Sequence, residues 1–205
     1  MAHYGILFLD ELTEFSSHVL ELLRQPLEDR IVSISRARGN MTYPTHFLCI
    51  GAFNPCPCGY YGHPDKPCKD TDAQINRYQA KLSGPFRDRF DIHLEVPVPK
   101  FEELHLLPSA ESSQDVKKRV EHARARQRKR YGSDKTNNQM TLSDLENFAR
   151  LNANCLTILK QAIELNHFSA RAMHRITKVA RTIADLEGVE EIGDNHLLEA
   201  IQYRG

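Results

Sequence analysis

The sequence predicts an α/β fold in which part of a parallel sheet, carrying a β-hairpin insertion, is followed by an all-α domain. Two short apolar runs, residues 6–9 and 47–52, each end at polar residues, as buried strands of a parallel sheet do. Between them, residues 30–36 alternate apolar and polar side chains, and a turn leads into a return strand at 41–43, which predicts a hairpin. A third strand is predicted at 92–96. Further along the chain, apolar residues recur with helical spacing.

The composition excludes several classes of protein. Lys plus Arg and Asp plus Glu each number 27 among 205 residues, so any basic surface for nucleic acid must be local. No apolar run approaches the roughly 18 residues of a membrane span, and we expect neither a signal peptide nor a membrane partner. Three of the 5 cysteines cluster, as metal ligands do, which predicts a reducing, cytoplasmic location rather than a disulfide scaffold.

Start and stop signals place the helices. Ser16 or Ser17 caps a helix that runs to about Glu28. A basic helix is predicted at 115–131, where a solvated face is favoured over a nucleic-acid surface, and the polar segment 132–139 is expected to be mobile. Four further helices are predicted: one opened by Ser143, one at 154–165, one between Ser169 and Gly188, and one after Asp194.

Polar side chains stand at the carboxyl ends of two predicted strands. Asp10 and Glu11 follow the first apolar run, and Asn54 follows the second. Ligands of parallel sheets bind at this end of the strands. The Asp suits contact with Mg²⁺, the Glu can orient or deprotonate an attacking water, and the amide can hold that water or a terminal phosphate. The alternatives are an acidic pair opening a helix and an Asx turn before Pro55.

Two pairs of arginines are candidates for phosphate contacts. Arg87 and Arg89 flank a turn after a helix, where an exposed arginine can act as a finger on a phosphate held by a neighbouring subunit. An ion pair with a nearby aspartate is the alternative. Arg36 and Arg38 lie near the predicted hairpin tip, where they either contact a nucleic-acid backbone or are solvated.

A C-x-C-G motif supplies candidate metal ligands. Cys56 and Cys58 of this motif and the later Cys68 offer three thiolates, and a tetrahedral zinc site needs a fourth donor. Either Asp70 or His63 can provide it. The alternative is a loop with free thiols. The other two cysteines lie in apolar contexts and are predicted to be core residues.

Several of these motifs occur together in one known family. The chain resembles the magnesium-chelatase-like AAA+ ATPases of the ComM/YifB family over essentially its whole length. The segments that carry the resemblance are the strand ending in Asp10-Glu11, the arginine-tipped hairpin, the run from Asn54 to Gly59, residues 82–92, and residues 180–186.

The resemblance implies roles for single residues and for the whole protein. It implies that Asp10 and Glu11 form the Walker B pair, and that Asn54 is sensor 1. It likewise implies that Arg89 is the arginine finger and Arg171 the sensor-2 arginine. It further implies ATP and Mg²⁺ as cofactors, a hexameric ring, and DNA as the partner, remodelled as by a branch-migration helicase during natural transformation.

The resemblance also implies the domain organisation. Residues 1–99 would form the C-terminal part of the AAA+ core, residues 100–140 a linker with the basic helix, and residues 141–205 a helical lid. No Gly-x-x-x-x-Gly-Lys-[Ser/Thr] phosphate loop occurs in the sequence. We therefore expect a C-terminal part of such an ATPase that is inactive by itself. Its N-terminal half is expected to have unpaired sheet edges, and to be either poorly stable alone or stabilised by oligomer contacts. Two alternatives remain: a non-catalytic, zinc-stabilised interaction module, and the ATPase subunit of a true magnesium chelatase.

Overall fold

The structure, a computed structural model, describes residues 2–36, 39–98 and 111–204, with the backbone alone at Arg36. The chain forms two compact units, Met1–Phe90 and Asp91–Gly205. This division lies before residue 99, where the sequence places the end of the first domain, so the predicted third strand belongs to the second unit. Among the helices of the described residues, none is long and apolar enough to cross a membrane.

The first unit combines a parallel strand pair, an antiparallel hairpin and short helices. The predicted hairpin is confirmed, with six residue pairs from Ile31–Pro44 to Arg36–Gly39. The elements of this unit are β1 (Ile6–Leu9), a 3₁₀ turn (Leu12–Glu14), α1 (Ser17–Leu22), α2 (Arg24–Glu28), β2 (Ile31–Arg36), β3 (Gly39–Pro44), β4 (Leu48–Gly51), α3 (Asp72–Gln79) and α4 (Gly84–Arg87).

The parallel sheet is half-buried on one face and exposed on the other. β1 and β4 pair in parallel, as the sequence predicts. The prediction that both strands are fully buried is wrong, because Ile6 and Phe8 of β1 and Leu48 and Ile50 of β4 are exposed. Successive side chains of a strand point to opposite faces, so these four residues share one face, here called the open sheet face. Burial on both faces depends on a covering layer, which a local apolar run cannot reveal.

A break divides the helix that the sequence predicts after Ser16. Two helices, α1 and α2, are separated at Leu23. Pro26 explains the break, because it has no N–H to donate to the Leu22 carbonyl and its ring clashes with that group. Pro26 lies instead in the first turn of α2, where proline is tolerated. Ser16 caps α1 as predicted, accepting the Val19 backbone N–H at 3.4 Å.

A small buried core organises the first unit. Four side chains pack together and are nearly inaccessible to solvent: Leu12 of the 3₁₀ turn, Leu20 of α1, Leu82 between α3 and α4, and Phe86 of α4. Each such side chain contributes about 1.5–3 kcal/mol by burial. The core therefore holds the turn that follows β1 against α1 and α4.

Residues 92–98 form neither a helix nor a strand, contrary to the predicted third strand. Their apolar side chains, which alternate from Ile92 to Val98, are exposed. The two sheets of the described residues contain no strand from this segment. The alternation of apolar and polar residues favours a strand. A strand, however, also needs a neighbouring strand to pair its backbone N–H and C=O groups. Here the His93 N–H donates to the Tyr203 carbonyl at 2.6 Å.

The second unit is helical. Its helices are α5 (Ser113–Tyr131), α6 (Leu142–Phe148), α7 (Ala153–Asn166), α8 (Ala170–Glu187) and α9 (Asp194–Gln202). Its buried core includes Cys155 and Leu159 of α7, Ile176 and Ala180 of α8, and Leu197 of α9. Leu159, Ile176 and Ala180 lie on the apolar stripes that helical spacing predicts, whereas Leu156, which the same spacing places on the α7 stripe, is exposed.

The caps of these helices agree with the sequence except in two cases. Ser169 and Gly188 cap α8 at its two ends, as predicted. Thr141, rather than Ser143, caps α6, because its side chain accepts the backbone N–H of Asp144 in a capping box. The N-cap of α9 is Gly193 rather than the residue after it.

A buried ion network joins α5 to α8. The Asp185 side chain is 0% exposed, and both of its oxygens accept from the Arg130 guanidinium. Arg181 lies 3.2 Å from the same carboxylate, and Asn137 donates to it at 2.8 Å. Asn137 is thus buried in a 3₁₀ turn, whereas the sequence predicts a mobile polar segment there.

Candidate functional site

The carboxyl ends of β1 and β4 meet at one edge of the parallel sheet. Ala52 donates its backbone N–H to the Leu9 carbonyl at 2.9 Å, which continues the pairing just beyond the strands. The segments that carry Asp10, Glu11 and Asn54 leave this edge together, and all three side chains are exposed. The structure therefore brings three of the predicted site residues to the same edge.

Glu11 has an unusual backbone conformation. Its φ of 49° and ψ of 48° lie in the left-handed region, which costs a non-glycine residue about 1–2 kcal/mol. Asp10 Oδ1 accepts the Glu11 backbone N–H at 2.9 Å. Buried Leu12 fixes the next position, and a Cβ at Gly51 would lie 3.0 Å from Leu12 Cδ2. The turn therefore fixes where the Glu11 side chain begins, and such strain concentrates at functional sites.

The two arginines near α4 differ in exposure. The Arg89 side chain is 5% exposed and pairs with Glu28 at 2.9 Å. It also donates to the Pro85 carbonyl. Arg87, at the end of α4, is exposed. Arg89 therefore lacks the exposure that the sequence analysis expects of an arginine finger, because α2 supplies a carboxylate that the local sequence does not show. The finger role of either residue stays a prediction.

Arg171 lies in the first turn of α8, directly after the Ser169 cap, and is exposed. The hydroxyl of Ser169 accepts the Ala172 N–H at 3.2 Å, which fixes the start of the helix. The second unit thus presents Arg171 at a well-defined helix N-terminus. Its sensor-2 role stays a prediction.

The hairpin arginines are described only in part. Arg36 ends β2 opposite Gly39, but its side chain and all of Arg38 lie outside the described residues. The sequence from Arg30 to Pro64 contains no Asp or Glu. The positive charge of this segment is therefore not neutralised by neighbours along the chain. A nucleic-acid contact by these arginines stays a prediction.

Many basic side chains of helix α5 form ion pairs with carboxylates of the second unit. Arg130 turns inward to Asp185. The pairs with other carboxylates are Lys117–Glu121 at 3.8 Å, Lys118–Asp115 at 3.0 Å, Arg119–Glu111 at 2.8 Å and Arg128–Asp134 at 3.9 Å. This arrangement favours the solvated face that the sequence analysis prefers for α5.

Three cysteines and one aspartate converge after β4. Cys56 Sγ lies 3.4 Å from Cys58 Sγ and 3.6 Å from Cys68 Sγ, and the latter two atoms are 3.5 Å apart. Asp70 Oδ2 lies 3.7 Å from Cys68 Sγ. One donor atom of each of these four residues lies within 4.8 Å of all the others. We call this group the Cys₃Asp cluster. It contains the three cysteines that the sequence predicts as metal ligands and one of the two candidates for the fourth ligand.

The backbone of the motif positions these donors. Gly59 has a φ of +79°, which favours glycine, and its N–H donates to the Cys56 carbonyl at 3.1 Å. The Tyr61 N–H points to Cys56 Sγ at 3.3 Å, and the Cys58 N–H donates to Asp70 Oδ2 at 2.8 Å. The loop is therefore folded around the donor atoms.

His63, the alternative fourth ligand, lies outside the Cys₃Asp cluster. Its Nδ1 accepts the backbone N–H groups of Asp65 at 3.0 Å and Lys66 at 3.2 Å. These bonds hold the ring within its own turn. Asp70 is therefore the fourth member of the cluster.

The cluster changes the acidity of its members in opposite directions. Burial, together with the neighbouring sulfurs, raises the pKa of Cys68 to about 12. Hydrogen bonds from the Cys58 thiol and from its backbone N–H lower the pKa of Asp70. Thiolates this close would repel one another, and a bound cation would reduce that repulsion.

Sequence reasoning missed α3, which contacts the loop of the cluster. Thr71 and Gln74 form a capping box at its start, which is a local signal that could have found it. Asp70 directly precedes this cap. At the other end of α3, the Gln79 side chain donates to the Pro55 carbonyl at 2.9 Å. The helix therefore contacts both ends of the loop.

Two family models match the sequence and together cover nearly all of it. The model for magnesium chelatase, subunit ChlI, matches residues 1–104, and the model for the C-terminal part of that subunit matches residues 110–204. The chain belongs to the magnesium-chelatase-like family. The mixed α/β first unit and the helical second unit are consistent with the AAA+-like fold of that family.

Individual relatives place the chain in the ComM/YifB group of the magnesium-chelatase-like family. The uncharacterized protein YifB of Salmonella typhimurium is 42% identical over 205 residues, and the competence protein ComM of Haemophilus influenzae is 41% identical over 205 residues. Each alignment covers 100% of this chain and 40% of the relative. An uncharacterized protein of Mycobacterium tuberculosis is 35% identical over 212 residues, covering 99% of this chain and 40% of the relative. The chain thus spans about 40% of the length of these curated relatives.

Membership of the magnesium-chelatase-like family suggests ATP and Mg²⁺ as cofactors of the whole protein. The exposed carboxylates of Asp10 and Glu11 fit this suggestion, because Mg²⁺ prefers oxygen donors and keeps several waters. A phosphate-loop motif, which would hold the triphosphate, does not occur in the 205 residues. The residues present therefore fit the metal and water side of such a site, but not the phosphate cradle.

Proposed function

We propose that the chain is part of an ATP-driven motor that remodels DNA and that it supplies the water-activating side of the nucleotide site. The observation that carries this proposal is the shared sheet edge, where Asp10 and Glu11 end one parallel strand and Asn54 follows the other. Parallel sheets bind their ligands at this edge. Two carboxylates and an amide are the groups needed to position a metal and a water for phosphoryl transfer.

Each residue at the edge takes one role in this proposal. Asp10 would hold the magnesium ion, Glu11 would orient the attacking water and accept its proton, and Asn54 would hold that water or a terminal phosphate oxygen. ATP with Mg²⁺ supplies the transferable phosphoryl group when bound. The strained turn at Glu11 supports the assignment, because it sets the starting direction of the carboxylate before any ligand arrives.

Two arginines, a sensor and a finger, complete the proposed site. Arg171 acts as the sensor on the helical unit, and Arg89 or the more exposed Arg87 acts as the finger toward a neighbouring subunit. A finger in trans requires a neighbouring subunit, and we propose that the subunits form a hexameric ring. The chain by itself is expected to turn over no ATP, because a phosphate loop must come from sequence outside it.

DNA is the proposed partner, with the hairpin as its contact. The acid-free stretch around β2 and β3 carries Arg36 and Arg38, and phosphate contacts need positive charge rather than base geometry. One relative is named a competence protein. We therefore propose DNA taken up by competent cells as the substrate and branch migration as the activity.

ATP turnover tests the nucleotide part of the proposal. The chain is mixed with the N-terminal segment of Haemophilus influenzae ComM, and turnover is compared between wild type, Glu11→Gln and Glu14→Gln. Glu14 is a matched control, since it is exposed and lies only three residues away. We expect restored turnover that falls by about 10²-fold or more in Glu11→Gln and stays near wild type in Glu14→Gln. Equal turnover in the two variants would contradict the role of Glu11.

Fluorescence anisotropy with labelled single-stranded DNA tests the partner. The double variant Arg36→Ala/Arg38→Ala removes two charges from the hairpin, and Lys117→Ala/Lys118→Ala removes two from α5. We expect the hairpin variant to lower both the affinity and the slope of log K against log salt, the latter by about 1.4. An equal loss in both double variants would indicate unspecific charge attraction.

A further inference from the structure

The Cys₃Asp cluster is a complete set of donors with the spacing of a tetrahedral metal site. A tetrahedron with bonds of about 2.3 Å places its sulfur atoms about 3.8 Å apart. The three sulfur separations of 3.4, 3.5 and 3.6 Å are close to this value. They also exceed a disulfide bond, which is about 2.05 Å long. The five cysteines are free thiols in this structure.

We propose that Cys56, Cys58, Cys68 and Asp70 bind one structural Zn²⁺ ion. Three thiolates select a soft or borderline metal over Mg²⁺ or Ca²⁺, which prefer oxygen. Four protein donors close the coordination sphere, as in structural rather than catalytic zinc sites. The carboxylate of Asp70 distinguishes this site from one with four sulfur ligands. Replacing Asp70 alone should therefore change how much zinc the site binds.

The surrounding hydrogen bonds support a built site. The backbone N–H of Tyr61 points at Cys56 Sγ, and that of Cys58 points at Asp70 Oδ2. Such outer contacts orient metal ligands and increase metal affinity. They come from the backbone, so the donors stay in place when neighbouring side chains are changed.

The ion would close the loop between β4 and α3. Cys56 lies two residues after Asn54, and Asp70 lies directly before the Thr71 cap of α3. A bound ion therefore joins the two ends of a segment that has no helix or strand of its own, and Gln79 adds a hydrogen bond to Pro55. The inference does not depend on nucleotide binding, since the ion would organise this loop in either case.

Metal analysis of the protein purified without chelator or histidine tag provides the first test. We expect one zinc per chain in wild type and in Cys49→Ser, a control that removes a half-buried thiol of β4. We expect less than about a tenth of that amount in Cys68→Ser. Less than 0.1 zinc per wild-type chain, or a disulfide within the cluster in intact-mass analysis, would overturn the proposal.

Binding of Co²⁺ in place of Zn²⁺ tests the identity of the fourth ligand. The wild-type spectrum is informative even if the Cys68→Ser variant does not fold. Wild type with Co²⁺ should show thiolate-to-cobalt charge transfer and strong tetrahedral d–d bands. Asp70→Cys should keep tetrahedral binding with increased charge-transfer intensity, and Asp70→Ala should lose more than about 100-fold in affinity, beyond the loss typical of an outer contact. Unchanged affinity in Asp70→Ala, with loss in His63→Ala, would overturn the assignment of Asp70.

Discussion

Replacing Asp185 by Asn tests the buried network of the second unit. The change removes the negative charge between two guanidinium groups while it keeps the shape of the side chain. The Arg181 and Arg130 side chains are 2% and 13% exposed, so water can replace little of the lost interaction. Removing one partner of a buried ion pair costs about 3–5 kcal/mol. We expect Asp185→Asn to cost about 3 kcal/mol, because the amide keeps some hydrogen bonds.

Urea unfolding followed by far-UV circular dichroism measures this cost. With a slope of about 2 kcal/mol per molar urea, a loss of 3 kcal/mol moves the midpoint down by about 1.5 M. The matched control is Asp134→Asn, whose side chain is 87% exposed and lies 3.9 Å from Arg128. It should stay within about 0.5 kcal/mol of wild type. A cost below about 1 kcal/mol for Asp185→Asn would refute the reasoning that this carboxylate neutralises the buried arginines.

Three further predictions concern pH, a turn and a surface. Burial alone would raise the pKa of Asp185, but Arg130 and Asn137 outweigh it and lower that pKa. Its contribution to stability is therefore complete above about pH 4 and lost as the pH falls further. Wild type and Asp185→Asn should converge in urea midpoint toward pH 2, and a constant difference would argue against this. Gly59→Ala strains a left-handed position by about 1–2 kcal/mol. This should weaken zinc binding about 5–30-fold in a chelator competition, whereas Gly84→Ala, without positive φ, should not. Phe8→Thr combined with Leu48→Thr should reduce binding of the dye ANS to the open sheet face. Val116→Thr is the control, and equal dye binding in both would place the dye elsewhere.

Features encoded over a few residues could be predicted from the sequence. The strand pair, the hairpin and the long helices follow from local periodicity, and the three cysteines of the Cys₃Asp cluster follow from short spacings along one loop. The choice of Asp70 over His63 required the structure. The break at Pro26 was also readable, because proline cannot donate to the preceding turn. The helical spacing of apolar residues on both sides of Pro26 instead favoured one continuous helix.

Features that depend on distant residues could not be predicted. Glu28 lies far from Arg89 in sequence, so nothing local shows that this arginine is buried in an ion pair. The network around Asp185 likewise joins residues of α5, a 3₁₀ turn and α8. The sheet is covered on one face only, and segment 92–98 has no partner strand among the described residues. Both features depend on distant parts of the chain, which the local pattern of apolar residues cannot predict.

The left-handed backbone at Glu11 has a consequence for engineering this protein. Glycine accepts that conformation freely, so a selection for heat resistance alone would reward Glu11→Gly. The more robust variant would lose the carboxylate that we propose as the water-activating group. At this one position, greater thermal stability and the proposed chemistry favour different residues.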